Sequence, residues 1–360
     1  MLTVPTAAAG SFVYTLVSVK DASTSACTQA QTGTATITVN PLPTAAISGT
    51  TAVCKDAAAP NVTFTGAGGT APYTFTYKLN NGADQTVTTT TGNSVTVAQP
   101  TGTAGSFVYT LVSVKDASTS ACTQAQTGTA TITVNPLPTA AIAGTTAVCK
   151  DAVTPNVTFT GAGGTAPYTF TYKVNGGADQ TVTTTSGDAV TVAQATATVG
   201  DFVYTLVSVK DASSTACVQT RTGPATVTVN ALLALNGTAS TTCAADGSGY
   251  VLNFTVTGQA PYTVTGTGAP GTWSGNDWTS SPITAGTNYN VSITDAYACN
   301  TVVVADTAPI CCVYEVTAPT FPAAAITCYD QMPTAVSLTK AEFEALGNGN
   351  GIIGHNPCGV

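Results

Sequence analysis

The chain has 360 residues, 7% of them charged against about 25% in an ordinary soluble domain, with a net charge of -8 and nine Lys plus Arg. That length predicts roughly two to three domains, each able to bury its own core. So few basic side chains exclude a stripe that tracks a phosphate backbone, and the single histidine, His355, leaves almost no acid–base or metal-binding capacity near neutral pH. The composition therefore predicts no catalytic residue, no cofactor, no metal and no nucleic-acid partner. No run of about 18 apolar residues occurs, so no membrane insertion is expected in this segment.

Eleven cysteines without CxxC spacing or a histidine cluster indicate disulfides, and hence an oxidising compartment reached by export, outside the cell. Met1-Leu2-Thr3-Val4-Pro5 carries no basic or apolar leader pattern, so the export signal is expected outside this chain.

In chain order, self-similarity comes first. Residues 11–47 recur unchanged at 106–142, a period of 95, and a third copy covers 201–230. The linker Pro41-Leu42-Pro43 returns as Pro136-Leu137-Pro138. These landmarks predict the C-terminal half of an Ig-like repeat at 1–40 and complete repeats at 41–135 and 136–230. A diverged β-sandwich follows at 231–310, then the start of a further truncated domain at 311–360. The chain is thus expected to start inside a domain.

Within 41–135 apolar residues alternate with polar ones, bounded by Gly, Pro and Asn. Val62 and Phe64 mark one strand, and Tyr73, Phe75, Tyr77 and Leu79 point to one face of the next. Asn80-Asn81-Gly82 tolerates the positive φ of a hairpin turn. Further strands are predicted at 86–90, 94–98, 107–114 and 129–134. About seven short strands in 95 residues predict an Ig-like sandwich, and the whole chain an all-β, elongated rod of tandem domains. Tyr109 is either a strand-F tyrosine corner or a plain core aromatic.

Each complete repeat holds two cysteines 68 apart. Economy predicts intradomain pairs, Cys54 with Cys122, Cys149 with Cys217 and Cys243 with Cys299. Cys27 is then orphaned, and Cys311, Cys312, Cys328 and Cys358 are unassigned.

Other candidate sites are few. Asp21, Asp116 and Asp211 each follow a lysine and read as turn residues rather than calcium ligands, because calcium needs six to eight oxygens. Gly66-Ala67-Gly68-Gly69 lacks the lysine and helix of a phosphate loop and reads as a connection between strands. Trp273 and Trp278 either stack on glycans or fill a core. Asp306-Thr307-Ala308 matches an O-glycosylation pattern at Thr307, and Thr339-x-x-Glu342 with Gly347 predicts one short helix at 340–346.

Asn-Pro-Leu-Pro-Thr, Gly-Thr-Thr-Ala-Val-Cys, Thr-Ala-Pro-Tyr-Thr-Phe and Tyr-Thr-Leu-Val-Ser-Val-Lys-Asp resemble the PKD-like or Ig-like repeats of giant cell-surface adhesins in Bacteroidota, over residues 1–230. Residues 231–310, with Ala260-Pro261-Tyr262-Thr263-Val264 and Val291-Ser292-Ile293-Thr294-Asp295-Ala296, are similar to the repeats of SprB-type gliding adhesins. The resemblance implies type IX export, a cell-surface location and a role in adhesion or gliding. It supplies no catalytic residues. The expected function is a non-enzymatic stalk that projects a binding region. Its expected partners are further domains of the same polypeptide, neighbouring copies, surface glycans or other cell-surface proteins. A self-assembling filament subunit and a carbohydrate-binding module at 231–310 are the alternatives.

Overall fold

A computed structural model describes residues 3, 4 and 6–311, with the backbone of two short strands at Val316–Thr317 and Ile352–Ile353. Among the described residues every regular element is a strand. The expected helix at 340–346, and Cys312, Cys328 and Cys358, lie outside them.

Met1–Thr145, Asn156–Ala193 and Val203–Thr226 form one compact unit. Its first strands, β1 (Gly10–Thr15), β2 (Ser18–Lys20), β3 (Thr28–Ala30) and β4 (Thr34–Val39), make two antiparallel pairs, β1 with β4 and β2 with β3. Residues 41–135 then supply β5 (Thr44–Ser48), β6 (Thr51–Cys54), β7 (Asn61–Ala67), β8 (Thr74–Leu79), β9 (Asp84–Thr88), β10 (Ser94–Ala98), β11 (Gly105–Lys115), β12 (Thr123–Ala125) and β13 (Thr129–Asn135). One sheet has the order β10-β7-β5, the other β6-β13-β11-β8-β9 with β12 beside β11.

The two sheets face each other because each strand alternates. Val62 and Phe64 of β7 are fully buried, and so are Phe75 of β8 and Ile132 of β13, while their threonine neighbours are more exposed. The Phe64 and Tyr77 rings lie 5.0 Å apart, and Tyr77 continues to Tyr109 at 5.8 Å. Asn80 and Asn81 take positive φ between β8 and β9, as the hairpin requires. The sequence pattern did not reveal β5, β6 or β12. These short strands are rich in alanine and threonine, and β6 is an edge strand running parallel to β13, with Ile132 opposite Thr51 and Asn135 opposite Cys54.

The same unit repeats the arrangement one period later. Thr139–Ala143, Asn156–Ala162 and Ala189–Ala193 form a three-stranded sheet, and Thr169–Val174 pairs with Gln180–Thr183. Phe159 and Phe170 stand where Phe64 and Phe75 stand, equally buried.

The second unit comprises Thr146–Pro155, Gln194–Phe202 and the residues from Val227 on. Thr146–Cys149 runs parallel to the end of Val218–Asn230, with Cys149 opposite Asn230. Gly249–Thr257 is the central strand of one sheet, flanked by Ser240–Cys243, Asp277–Ser280 and Ile283–Thr284. Thr263–Thr267, Tyr289–Thr294 and Val302–Asp306 form the facing sheet. Leu252, Val256, Trp278, Val291 and Ile293 fill the space between them. The protein is therefore a series of Ig-like β-sandwich domains.

Candidate functional site: the cystine junctions

The intradomain pairing expected from cysteine spacing is replaced by a staggered one. Cys54 bonds Cys217, Cys149 bonds Cys299 and Cys243 bonds Cys311. Cys122 is a free, half-buried thiol and Cys27 a free, exposed one. Register explains the correction. Cys54 lies opposite Asn135, next to the pair Gly105–Val134 at the start of β11, whereas Cys122 follows the other end of that strand, past Lys115. Eleven residues of β11 span about 35 Å, and a disulfide needs Cα atoms within about 7 Å. Each complete repeat therefore carries one cysteine at either end, and Cys54 joins the cysteine at the far end of the following repeat.

Around that disulfide the contacts are local and polar. Asn135 donates its side-chain amide to the hydroxyls of Thr215, at 2.9 Å, and Ser214, at 3.3 Å. The Thr215 hydroxyl lies 3.1 Å from Cys217 Sγ and 3.3 Å from Cys54 Sγ. Cys217 is 1% exposed. Asn135 was not recognised as a functional residue in the sequence. Its signal was there, since Asn40, Asn135 and Asn230 recur at the 95-residue period.

An aspartate shapes the turn that presents each late cysteine. Asp116 Oδ2 accepts the Thr70 amide at 3.1 Å, and its Oδ1 accepts the Ser118 hydroxyl at 2.8 Å and amide at 3.3 Å. The Asp116 amide donates to the Cys122 carbonyl at 3.0 Å, closing the turn. Burial pushes the Asp116 carboxyl up, but the hydrogen bonds from Ser118, Thr70 and Cys122 outweigh it and hold it below the usual carboxylate range. Asp211 repeats the geometry with Thr165 and Ser213. Asp295 does so in the diverged domain with the amides of Gln259, Tyr297 and Ala298. These carboxylates are turn brackets with their oxygens already engaged. Among the described residues no group of three or more His, Cys, Asp or Glu is placed to hold a metal.

The glycine loop belongs to the same bracket. A Cβ on Gly69 would lie 2.6 Å from Asp116 Oδ2, and one on Gly66 would lie 2.5 Å from Tyr73 Cγ. Tyr73 donates its hydroxyl to the Gly69 carbonyl at 2.8 Å, and Tyr262 does the same to Gly258 at 2.9 Å. Tyr109 is a core tyrosine, 2% exposed, with its hydroxyl on Gln99 Oε1 at 2.8 Å.

Trp278 is 2% exposed and stacks on Phe254 at 4.7 Å, so it has no face to offer a sugar, which corrects the glycan-stacking expectation for this residue. Trp273 packs on Tyr262 at 4.7 Å and borders the same core. Thr307 is exposed just after Val302–Asp306, its amide donating to Asp306 Oδ1.

No family model matches the chain, and no curated protein matches it. Among solved structures it is similar to a 1.5-MDa bacterial ice-binding adhesin, at 15% identity over 74% of this chain and 96% of that one, TM-score 0.35. It is also similar to a Ca2+-stabilised, ice-binding adhesin of an Antarctic bacterium, at 20% identity, 83% and 80% coverage and TM-score 0.39. A third is invasin, a bacterial integrin-binding protein, at 16% identity, 73% and 59% coverage and TM-score 0.30. Scores of this size say nothing about what this chain binds.

Proposed function

We propose that the chain is a stretch of the non-enzymatic stalk of a repetitive bacterial surface adhesin, an elongated rod whose work is reach and resistance to pulling. The observation that carries this reading is the staggered cystine series, in which a cysteine of one repeat is bonded to the far-end cysteine of the next. A bond confined to one domain protects that domain alone. A bond between successive repeats also holds them together when tension would part them, and disulfides persist in the oxidising space where such a stalk stands. Domain boundaries near 41, 136, 231 and 311, read from the sequence repeats, and an O-glycan on Thr307, read from Asp306-Thr307-Ala308, belong to the same proposal, as do type IX export and gliding in a Bacteroidota cell through the family resemblance.

The fit is chemical as well. Thr, Ala, Val and Gly dominate and charges are sparse, a composition that suits a structural rod. Electron microscopy and light scattering on the full chain test the reading. Single, extended particles of monomer mass are expected. Open-ended fibres in which copies complete one another would favour the filament subunit instead.

A further inference from the structure

β4 is paired on one side alone. Its counterpart one period later, β13, pairs with β11 on one edge and in parallel with β6 on the other, whereas β4 pairs with β1 and has no parallel neighbour among the described residues. The apolar face above it is bare. Ile37 is 41% exposed where Ile132 is 0%, Leu16 is 47% where Leu111 is 1%, and Val19 is 53% where Val114 is 0%.

The remaining parts of a cystine junction are assembled beside this edge. Asn40 donates its side-chain amide to the hydroxyls of Ser120, at 2.6 Å, and Thr119, at 3.4 Å. Asn135 makes the equivalent pair of bonds in the turn before Cys217. The Ser120 hydroxyl lies 3.5 Å from Cys122 Sγ, as that of Thr215 lies beside Cys217. At the completed junction the remaining component is β6, which brings Cys54 opposite Asn135.

We infer that β4, Asn40 and Cys122 form a docking site for the first half of a further repeat of this kind, whose Thr-Thr-Ala-Val-Cys strand lies parallel along β4 and whose cysteine bonds Cys122. The docking is strand addition to a free edge, with side chains covering the face of Leu16, Val19 and Ile37. A second copy of this chain is not the occupant, because its Cys54, Cys149 and Cys243 are already consumed in disulfides. Closing the bond removes one proton and one electron from each thiol, and the electron pair reduces a disulfide-bearing oxidant to its dithiol. The inference rests on the inter-repeat linkage that carries the stalk reading.

The test is the full chain with residues 1–10 replaced by a copy of residues 41–105, so that residues 11–40 complete the added repeat. Non-reducing peptide mapping is expected to find Cys122 bonded to the added early cysteine, with Cys54–Cys217 retained. Full alkylation of Cys122 by iodoacetamide, with Cys54–Cys217 intact, would overturn the inference and leave the stalk reading standing. Loss of Cys54–Cys217 itself would count against the stalk reading.

A second measurement uses the unextended full chain and the peptide Gly-Thr-Thr-Ala-Val-Cys-Lys activated as its thionitrobenzoate mixed disulfide. Thiolate attack by Cys122 on the peptide sulfur releases thionitrobenzoate. Relative to a scrambled peptide, capture at Cys122 is expected to be about 10-fold faster, with no such preference at exposed Cys27, since docking raises the local concentration of the reacting sulfur. Equal rates for the two peptides at Cys122 would overturn the inference.

Discussion

Asp116 and Asp21 occupy the same place in the repeat and differ in what surrounds them. Asp116 is 3% exposed and accepts the Thr70 amide from a neighbouring loop, whereas Asp21 is exposed and bonds Ser23 in its own turn. Asp116→Ala takes the acceptor from the part-buried Thr70 amide and from the Ser118 turn, and is expected to lower unfolding free energy by about 1–3 kcal/mol in urea titration, whereas Asp21→Ala should leave the urea midpoint unchanged. The folded carboxyl of Asp116 sits below its unfolded value of about 3.9, so its contribution is present above that pH and is lost as pH falls through the folded value. Urea midpoints should therefore drop below about pH 4, and less so in Asp116→Ala. The lysine–aspartate pairs were legible in the sequence as turn residues. Their role as brackets was not, because the amide that Asp116 accepts lies 46 residues away.

Among the elements, the strongly alternating strands were readable and the weakly apolar ones were not. Tyr73, Phe75 and Tyr77 announce β8 by period two, while Thr51-Ala52-Val53-Cys54 carries too short a pattern to mark a strand. That missed strand fixes which end of the repeat holds Cys54, and so the spacing of 68 misled the pairing. Two substitutions separate the schemes by differential scanning calorimetry. Cys54→Ser is expected to lower stability, by up to about 5 kcal/mol in the chain-entropy model for a loop of 163 residues. Cys122→Ser should leave this chain within about 0.5 kcal/mol of the parent, whereas an intradomain bond would make the two changes equivalent. In the diverged domain the aromatic cluster is a core device. Trp278→Ala should cost about 3–5 kcal/mol and Trp273→Ala less, by the same calorimetry.

For the whole molecule, charge contributes little. The four ion pairs among the described residues, such as Lys55–Asp56 at 2.9 Å, are solvent-exposed, so going from low to high sodium chloride should shift stability by under about 1 kcal/mol. The covalent path matters more. With the observed cystines, tension entering at Cys54 crosses to Cys217, follows residues 217–243 and crosses again to Cys311. That path extends about 100 Å, against roughly 900 Å for the reduced chain from 54 to 311 at about 3.5 Å per residue. The single-domain scheme would leave residues 122–149, 217–243 and 299–311 free to extend, about 240 Å in all.

Single-molecule force spectroscopy on the full chain, pulled by its ends before and after reduction, therefore tests the load-bearing stalk most directly. The oxidised chain is expected to fall short of the reduced one by about 800 Å of contour length. A shortfall nearer about 660 Å would restore the intradomain pairs, and no difference between the two states would contradict a cystine-linked stalk altogether.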